Sequence, residues 1–240
     1  MKHPRILVAG VFAGLAVMAL LAVVIFQFGR HDPSPPSLQA NPNTAIPGEV
    51  VYLATNNCVV RIDASGANRR EVVCPGRADF VTRLDERTIV YGIYGPPGSP
   101  ATQRDLVTGQ ETVYSTAPSP DKFIPGVATE QRSVLDEFIT VDPDGSVYRS
   151  SSSDPRRSLI FDCDCPQHQV PEFATWSPDG AWVMLTYWNN RSGDREIWIV
   201  ARDGSVKGTL ATASGAGGNP SWFISGKGVL PKSTLTPVAK

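Results

Sequence analysis

This chain of 240 residues is poor in histidine and methionine, and it carries no excess of either charge. Its three histidines are His3, His31 and His168. Only His168 lies in the part of the chain suited to fold, so a Ser-His-Asp triad would have a single imidazole to draw on. No Gly-x-Ser-x-Gly elbow is present, which removes the usual nucleophile of an α/β-hydrolase. Lys and Arg number 22 against 23 Asp and Glu, for a formal net charge of −1. The basic residues are scattered, and pairs such as Arg69-Arg70 and Arg156-Arg157 stand alone. That balance excludes an extended basic surface, so nucleic acid is not expected as a partner.

The one long apolar run is residues 6–28, which are uncharged and hold Gln27 as their one strongly polar side chain. At about 1.5 Å per residue a helix of this length crosses a hydrocarbon core about 30 Å thick. A cleavable signal peptide would have an apolar region of about 7–15 residues and a small-x-small site. This run is longer and ends in Ile25-Phe26-Gln27-Phe28, so an uncleaved anchor is expected. No cysteine follows before Cys58, so a lipid anchor is not indicated. Lys2 and Arg5 precede the run, while Arg30 and Asp32 after it cancel. The positive-inside bias then keeps residues 1–5 in the cytoplasm and exports the rest. The expected location is the cell membrane, single-pass, with the C-terminal domain outside the cytoplasm.

Residues 29–47 read as a tether, with Pro33, Pro35, Pro36, Pro42 and Pro47 favouring extended conformations. The folded domain is expected over residues 48–230, and residues 231–240, with Pro231 and Pro237, read as a disordered tail.

Within the domain one phrase recurs. Its clear copy is Glu172-Phe173-Ala174-Thr175-Trp176-Ser177-Pro178-Asp179-Gly180-Ala181-Trp182-Val183. A degraded copy starts at Asp79, 93 positions before Glu172. A third fragment starts at Ser221, 46 positions after Thr175. A period near 46 built of short strands and turns is that of a β-propeller blade. The copy around Trp176 spells the blade out. A strand at 173–176 leads to the turn Ser177-Pro178-Asp179-Gly180, then to strands at 182–188 and 195–201 and an outer strand at 206–211. Pro presets φ, Asp bonds the backbone and Gly accepts positive φ in that turn.

Trp176-Ser177-Pro178-Asp179-Gly180, the strand Glu196-Ile197-Trp198-Ile199-Val200 and Asp203-Gly204 together resemble the TolB-type, WD40-like propeller repeat. That repeat also occurs in the propellers of prolyl-oligopeptidase relatives. The likeness is good over residues 171–211 and partial over Val50-Val51-Tyr52-Leu53-Ala54, Cys58 to Asp63 and Ser65-Gly66. It is weak in blades two and three, which lack the Ser-Pro-Asp-Gly turn. The resemblance implies a fold and, with no catalytic domain attached, a docking role at most.

The expected class is all-β: a small propeller of about four blades of four-stranded antiparallel sheets, preceded by one transmembrane helix. The first blade shows three strands, and residues 219–224 form a spare one. Joining them would cover two exposed edges and close the ring through the C-terminal strand; the alternative is an open arc.

Cys58 opens one strand and Cys74 ends the next, both equidistant from residue 66 at the turn between them, so a disulfide is expected. Cys163, Cys165 and His168 form the one local cluster with metal or redox potential. It lacks a convincing fourth ligand, so a structural loop is the expectation there, with no metal and no cofactor. Asp142-Pro143-Asp144-Gly145 lacks the later ligands of a calcium loop and reads as a turn. Trp188, Asn189 and Asn190 sit at a strand end where a partner could be met. The expected function is a membrane-tethered extracytoplasmic scaffold that binds a protein or ligand in the cell envelope, and not an enzyme. The alternatives are a Cys/His-centred metal or redox protein, or an extracellular sensor signalling through a membrane partner.

Overall fold

The computed structural model describes residues 45–93, 100–114, 133–162, 171–190, 192–215 and 219–230. Residues 6–28 lie outside them, and among the described residues no helix is long and apolar enough to cross a membrane. Among the described residues all the regular structure is β. The strands are β1 (Glu49–Leu53), β2 (Val59–Asp63), β3 (Arg70–Val73), β4 (Phe80–Arg83), β5 (Thr88–Gly92), β6 (Ala101–Asp105), β7 (Glu111–Tyr114) and β8 (Glu137–Val141). They continue as β9 (Val147–Ser151), β10 (Ser158–Phe161), β11 (Phe173–Trp176), β12 (Trp182–Trp188), β13 (Arg195–Ala201), β14 (Lys207–Ala213), β15 (Ser221–Ile224) and β16 (Gly228–Leu230).

They form four antiparallel sheets, ordered β16-β15-β1-β2-β3, β4-β5-β6-β7, β10-β9-β8 and β11-β12-β13-β14. The fourth shows why the sequence folds this way. Pro178 and Asp179 turn the chain, and Gly180 takes φ +72°. Ser177 N donates to Trp182 O at 2.8 Å, and Trp182 N returns a bond to Ser177 Oγ at 3.0 Å. Beyond the turn, β12 and β13 are apolar on both faces. Met184, Ile197 and Ile199 join one core cluster, while Val183, Leu185, Trp198 and Val200 join another. A strand buried on both sides alternates in direction but not in polarity.

Those clusters set the order of the sheets. Met184, Ile197 and Ile199 of the fourth sheet pack on Val50, Tyr52, Val60 and Ile62 of the first. Leu185, Tyr187 and Trp198 pack on Ile139, Val147 and Phe161 of the third. Val51, Leu53 and Val59 of the first pack on Val81, Ile89 and Tyr91 of the second. Successive meanders packed face to face in this way are β-propeller-like. Among the described residues no core cluster joins the second sheet to the third. Phe80, Val90 and Ala101 form a cluster of their own with Leu84. Residues 115–132, between those sheets in sequence, lie outside the described residues, and so does the question of a closed ring or an arc.

The strand from the C-terminal end does complete the first sheet. Val50 pairs with Trp222 and Val51 with Ser221. Trp222 is fully buried, and its Nε1 donates to Pro47 O at 3.0 Å. Gly48 makes this junction possible: at φ +91°, a Cβ there would stand 2.2 Å from Phe223 O.

One expectation needs correction. The first sheet has five strands, not four, because β16 folds back and pairs with β15. Residues 221–230 repeat the strand-turn-strand opening of a blade, but β1 already occupies the edge of β15 that a following strand takes elsewhere. The hairpin therefore closes on the other edge. The third sheet shows three strands among the described residues. It does have the equivalent turn, without its signature residues. Ser133 N donates to Glu137 O at 2.8 Å, and Asp136 supplies the positive φ, +64°.

Candidate functional site

Four chain segments meet where the third and fourth sheets join, at the end that carries the turns preceding β8 and β12. The turn before β8 brings Leu135, and β9 brings Arg149. The turn before β12 brings Ala181 and leads to Trp182. The turn from β13 to β14 brings Arg202, Asp203, Ser205 and Val206. With Ala201 they line a cavity of about 520 Å³. That volume lies in the range of small-molecule sites, about 300–1,000 Å³. Arg202 N donates to Ala181 O at 3.0 Å, tying the two turns of the fourth sheet together. Gly180 seats the neighbouring turn: a Cβ on it would meet Leu135 at 3.2 Å and Val134 at 3.3 Å. Val134 and Leu135 nevertheless stay 62% and 46% exposed, an apolar rim beside the opening.

The floor is ionic. Glu137, at the start of β8, is buried and accepts three charge-assisted bonds. Arg202 donates from Nε and NH2, both at 2.6 Å, and Arg149 from NH1 at 2.7 Å. The hydrogen bond from Arg202 holds the Glu137 carboxyl below the usual carboxylate range, against the opposing effect of burial, and Arg149 adds to it. Reciprocally, Glu137 raises the guanidinium of Arg202. Two guanidiniums thus share one carboxylate. Asp203 brings a further carboxylate to the opening, but it accepts from Ser205 N at 2.9 Å and from Ser205 Oγ, within its own turn. No lining side chain is a cysteine or a histidine, and Ser205 is committed to Asp203.

The same device occurs 88 positions earlier. Glu49 starts β1 and binds Arg61, twelve residues on in β2, as Glu137 binds Arg149 twelve residues on in β9. In each case the next sheet in the chain adds an arginine. Arg83 reaches Glu49 at 3.2 Å, as Arg202 reaches Glu137. Even the strain repeats, since the buried Nε of both Arg61 and Arg149 lacks a partner among the described residues. Burial pushes the Glu49 carboxyl up, but the bond from Arg61 and the charges of Arg61, Arg83 and Arg70 hold it below its ordinary value. Arg83 is itself buried, stacked 4.5 Å over the Phe223 ring, and donates to Asp85 O and Glu86 O, each at 2.6 Å. Here three arginines crowd the carboxylate. The arginines looked scattered in sequence; the recurring Glu-to-Arg spacing of twelve was the signal that could have found them.

The residues singled out from sequence lie elsewhere. Cys58 and Cys74 are bonded to each other at one end of the first sheet, where Val59 pairs with Val73. Their sulfurs lie within 4.8 Å of a Glu71 oxygen. Trp188 is half-buried, and its ring would meet a Cβ on Gly215 at 2.9 Å. Asn189 donates to Glu196 at 2.8 Å, and Asn190 is exposed. All three lie at the end of β12 away from the cavity. Asp142 to Gly145 form a tight turn, with Gly145 N donating to Asp142 O at 2.9 Å, and Tyr187 Oη donates to Gly145 O at 3.2 Å. Cys163, Cys165 and His168 lie outside the described residues.

No protein-family model and no curated protein matches the chain. Solved structures similar to it include the hydrazine synthase of Kuenenia stuttgartiensis, at 12% identity over 70% of this chain and 52% of that one, with a TM-score of 0.28. A TolB from Agrobacterium tumefaciens is 13% identical over 65% of this chain and 57% of that one, with a TM-score of 0.28. The Dos1 propeller is 12% identical over 73% of this chain and 47% of that one, with a TM-score of 0.26. The chain thus spans about half the length of these three structures. At such identities and TM-scores the function has to be argued from the chemistry of the site.

Proposed function

We propose that this chain is a membrane-tethered, extracytoplasmic β-propeller scaffold that docks an envelope protein at the turn end of its third and fourth sheets. The tether is residues 6–28 and the Pro-rich segment after them. The Cys58–Cys74 bond suits an oxidising compartment. The observation that carries the docking reading is the exposed pair Val134 and Leu135 at the mouth of the arginine-floored cavity. Exposed apolar residues rimmed by charge are where partners bind. The protein acts by holding a partner.

Photo-crosslinking in intact cells tests this. A photoreactive residue at Leu135 should capture a discrete partner on the outer side of the membrane, whereas one at Asn190, at the far end of β12, should not. Capture at Asn190 alone would move the docking site to the hairpin after β12, and capture at neither would remove the docking reading.

A further inference from the structure

The cavity between the third and fourth sheets has two chemistries side by side. Its wall is apolar, made by Leu135, Ala181, Trp182, Ala201 and Val206. Its floor has two guanidiniums against one carboxylate. Arg202 uses Nε and NH2 on Glu137, and Arg149 uses NH1. Arg202 NH1 and Arg149 NH2 make no hydrogen bond among the described residues, and the two side chains are 40% and 30% exposed. Glu137 and Asp203, whose carboxylate is drawn to Arg149, balance the two guanidiniums in charge, but the guanidiniums keep donors to spare beside the apolar wall.

From this we infer that the cavity takes the free carboxyl terminus of a peptide whose last residue is apolar. A terminal residue carries its carboxylate and its side chain on one Cα, so both can enter a cavity of about 520 Å³ together. The unused guanidinium donors, planar and paired, match the two oxygens of one carboxylate. An internal acidic segment would bring several charges past Asp203, which repels them. The apolar side chain lies against Trp182 and Val206, under the Leu135 rim. The alternating pattern of apolar anchor and charged clamp gives specificity to a surface whose area alone would not. This inference rests on the docking reading and gives that surface its ligand class.

The test is calorimetric titration of the full chain in detergent with N-acetyl-Ala-Ala-Leu bearing a free carboxylate, beside the same peptide as its amide and a version ending in Lys. The acid should bind, and the amide and the Lys version should each bind at least about tenfold more weakly, the loss expected for one charge-assisted bond or one buried apolar side chain. Leu135→Asp should abolish binding of the acid without moving the melting temperature, because Leu135 is half exposed. Arg202→Gln should weaken it, and Asp203→Asn should tighten it. Equal binding of acid and amide overturns the inference, as does no binding of the acid at millimolar concentration. If the peptides fail while Leu135 still crosslinks a partner, the ligand class is wrong and the docking surface stands. If the acid binds while Leu135 captures nothing, the docking reading fails and the inference keeps its chemistry.

Discussion

Arg202 reaches from the turn after β13 to grip both carboxylate oxygens of Glu137, at 2.6 Å each, across the boundary between two sheets. Two parallel charge-assisted bonds fix the relative position of those sheets more tightly than one would. The pair is therefore both the floor of the cavity and a brace between sheets.

Acid should loosen that brace. The folded pKa of Glu137 lies below its unfolded value of about 4.3, and that of Glu49 is displaced the same way. Their contribution to stability is complete above pH ~4.3 and is lost as pH falls through the lowered folded values. Glu137→Gln should cost about 2 kcal/mol at pH 7, because two guanidiniums lose their carboxylate. It should also flatten the decline in stability between roughly pH 5 and pH 2, where carboxylates titrate. Denaturant melts across pH measure both effects, and parallel curves for variant and parent would count against the brace.

The second expectation concerns the disulfide. Cys58 and Cys74 stand 16 positions apart, and their bond restrains the unfolded chain over the β2–β3 hairpin. Replacing both with Ala should lower stability by roughly 2–4 kcal/mol, and a reductant should do the same to the parent protein. Labelling of both thiols in protein isolated from cells without reductant would show that the bond is not the resident state.

Much of the fold was legible because local chemistry repeats. Ser177-Pro178-Asp179-Gly180 states its turn in residue types, and Ile197 and Ile199 against Trp198 and Val200 state the two buried faces of β13. The spare strand could be assigned to β1 because an unpaired edge is costly. What the sequence hid depends on contacts between distant segments. Asp136 takes positive φ where a glycine was expected, so the turn before β8 went unseen. β16 goes to the opposite edge because β1 fills its usual place, a tertiary fact with no local sign. The cavity draws on residue 135, residue 149, residues 181–182 and residues 201–206, and no spacing rule joins them. Trp188, Asn189 and Asn190 were legible as strand-end residues, but the contacts of Trp188 with Gly215 and of Asn189 with Glu196 were not.

The anchor is tested on the intact protein. Residues 6–28 should remain in the mature chain, so its N-terminal sequence should begin at or near Met1. The Lys and Arg residues after residue 30 should be open to protease added outside the cell. A mature N-terminus beyond residue 30 would mean the apolar run is removed, and the scaffold would then be released instead of tethered.

The last expectation concerns β15. Among the described residues it is the strand that ties the two ends of the folded domain together, pairing with β1 on one edge and β16 on the other. Its Trp222 is fully buried in the cluster shared by the first and fourth sheets, and Ser221 accepts at 3.1 Å from Arg83 N of the second sheet. Removing residues 217–240 therefore strips an edge from β1, empties the site of a large aromatic and leaves the Arg83 amide without its partner. Trp222→Ala alone should cost about 3–5 kcal/mol, and the deletion more. Gly48→Ala should be costly by a different route, forcing a Cβ against Phe223 O at a positive φ while every residue of β15 is kept. Removing only residues 234–240 leaves β15 and β16 whole and should not move the melting temperature. If the long deletion melts with the parent protein, β15 is not what holds the first sheet to its neighbours.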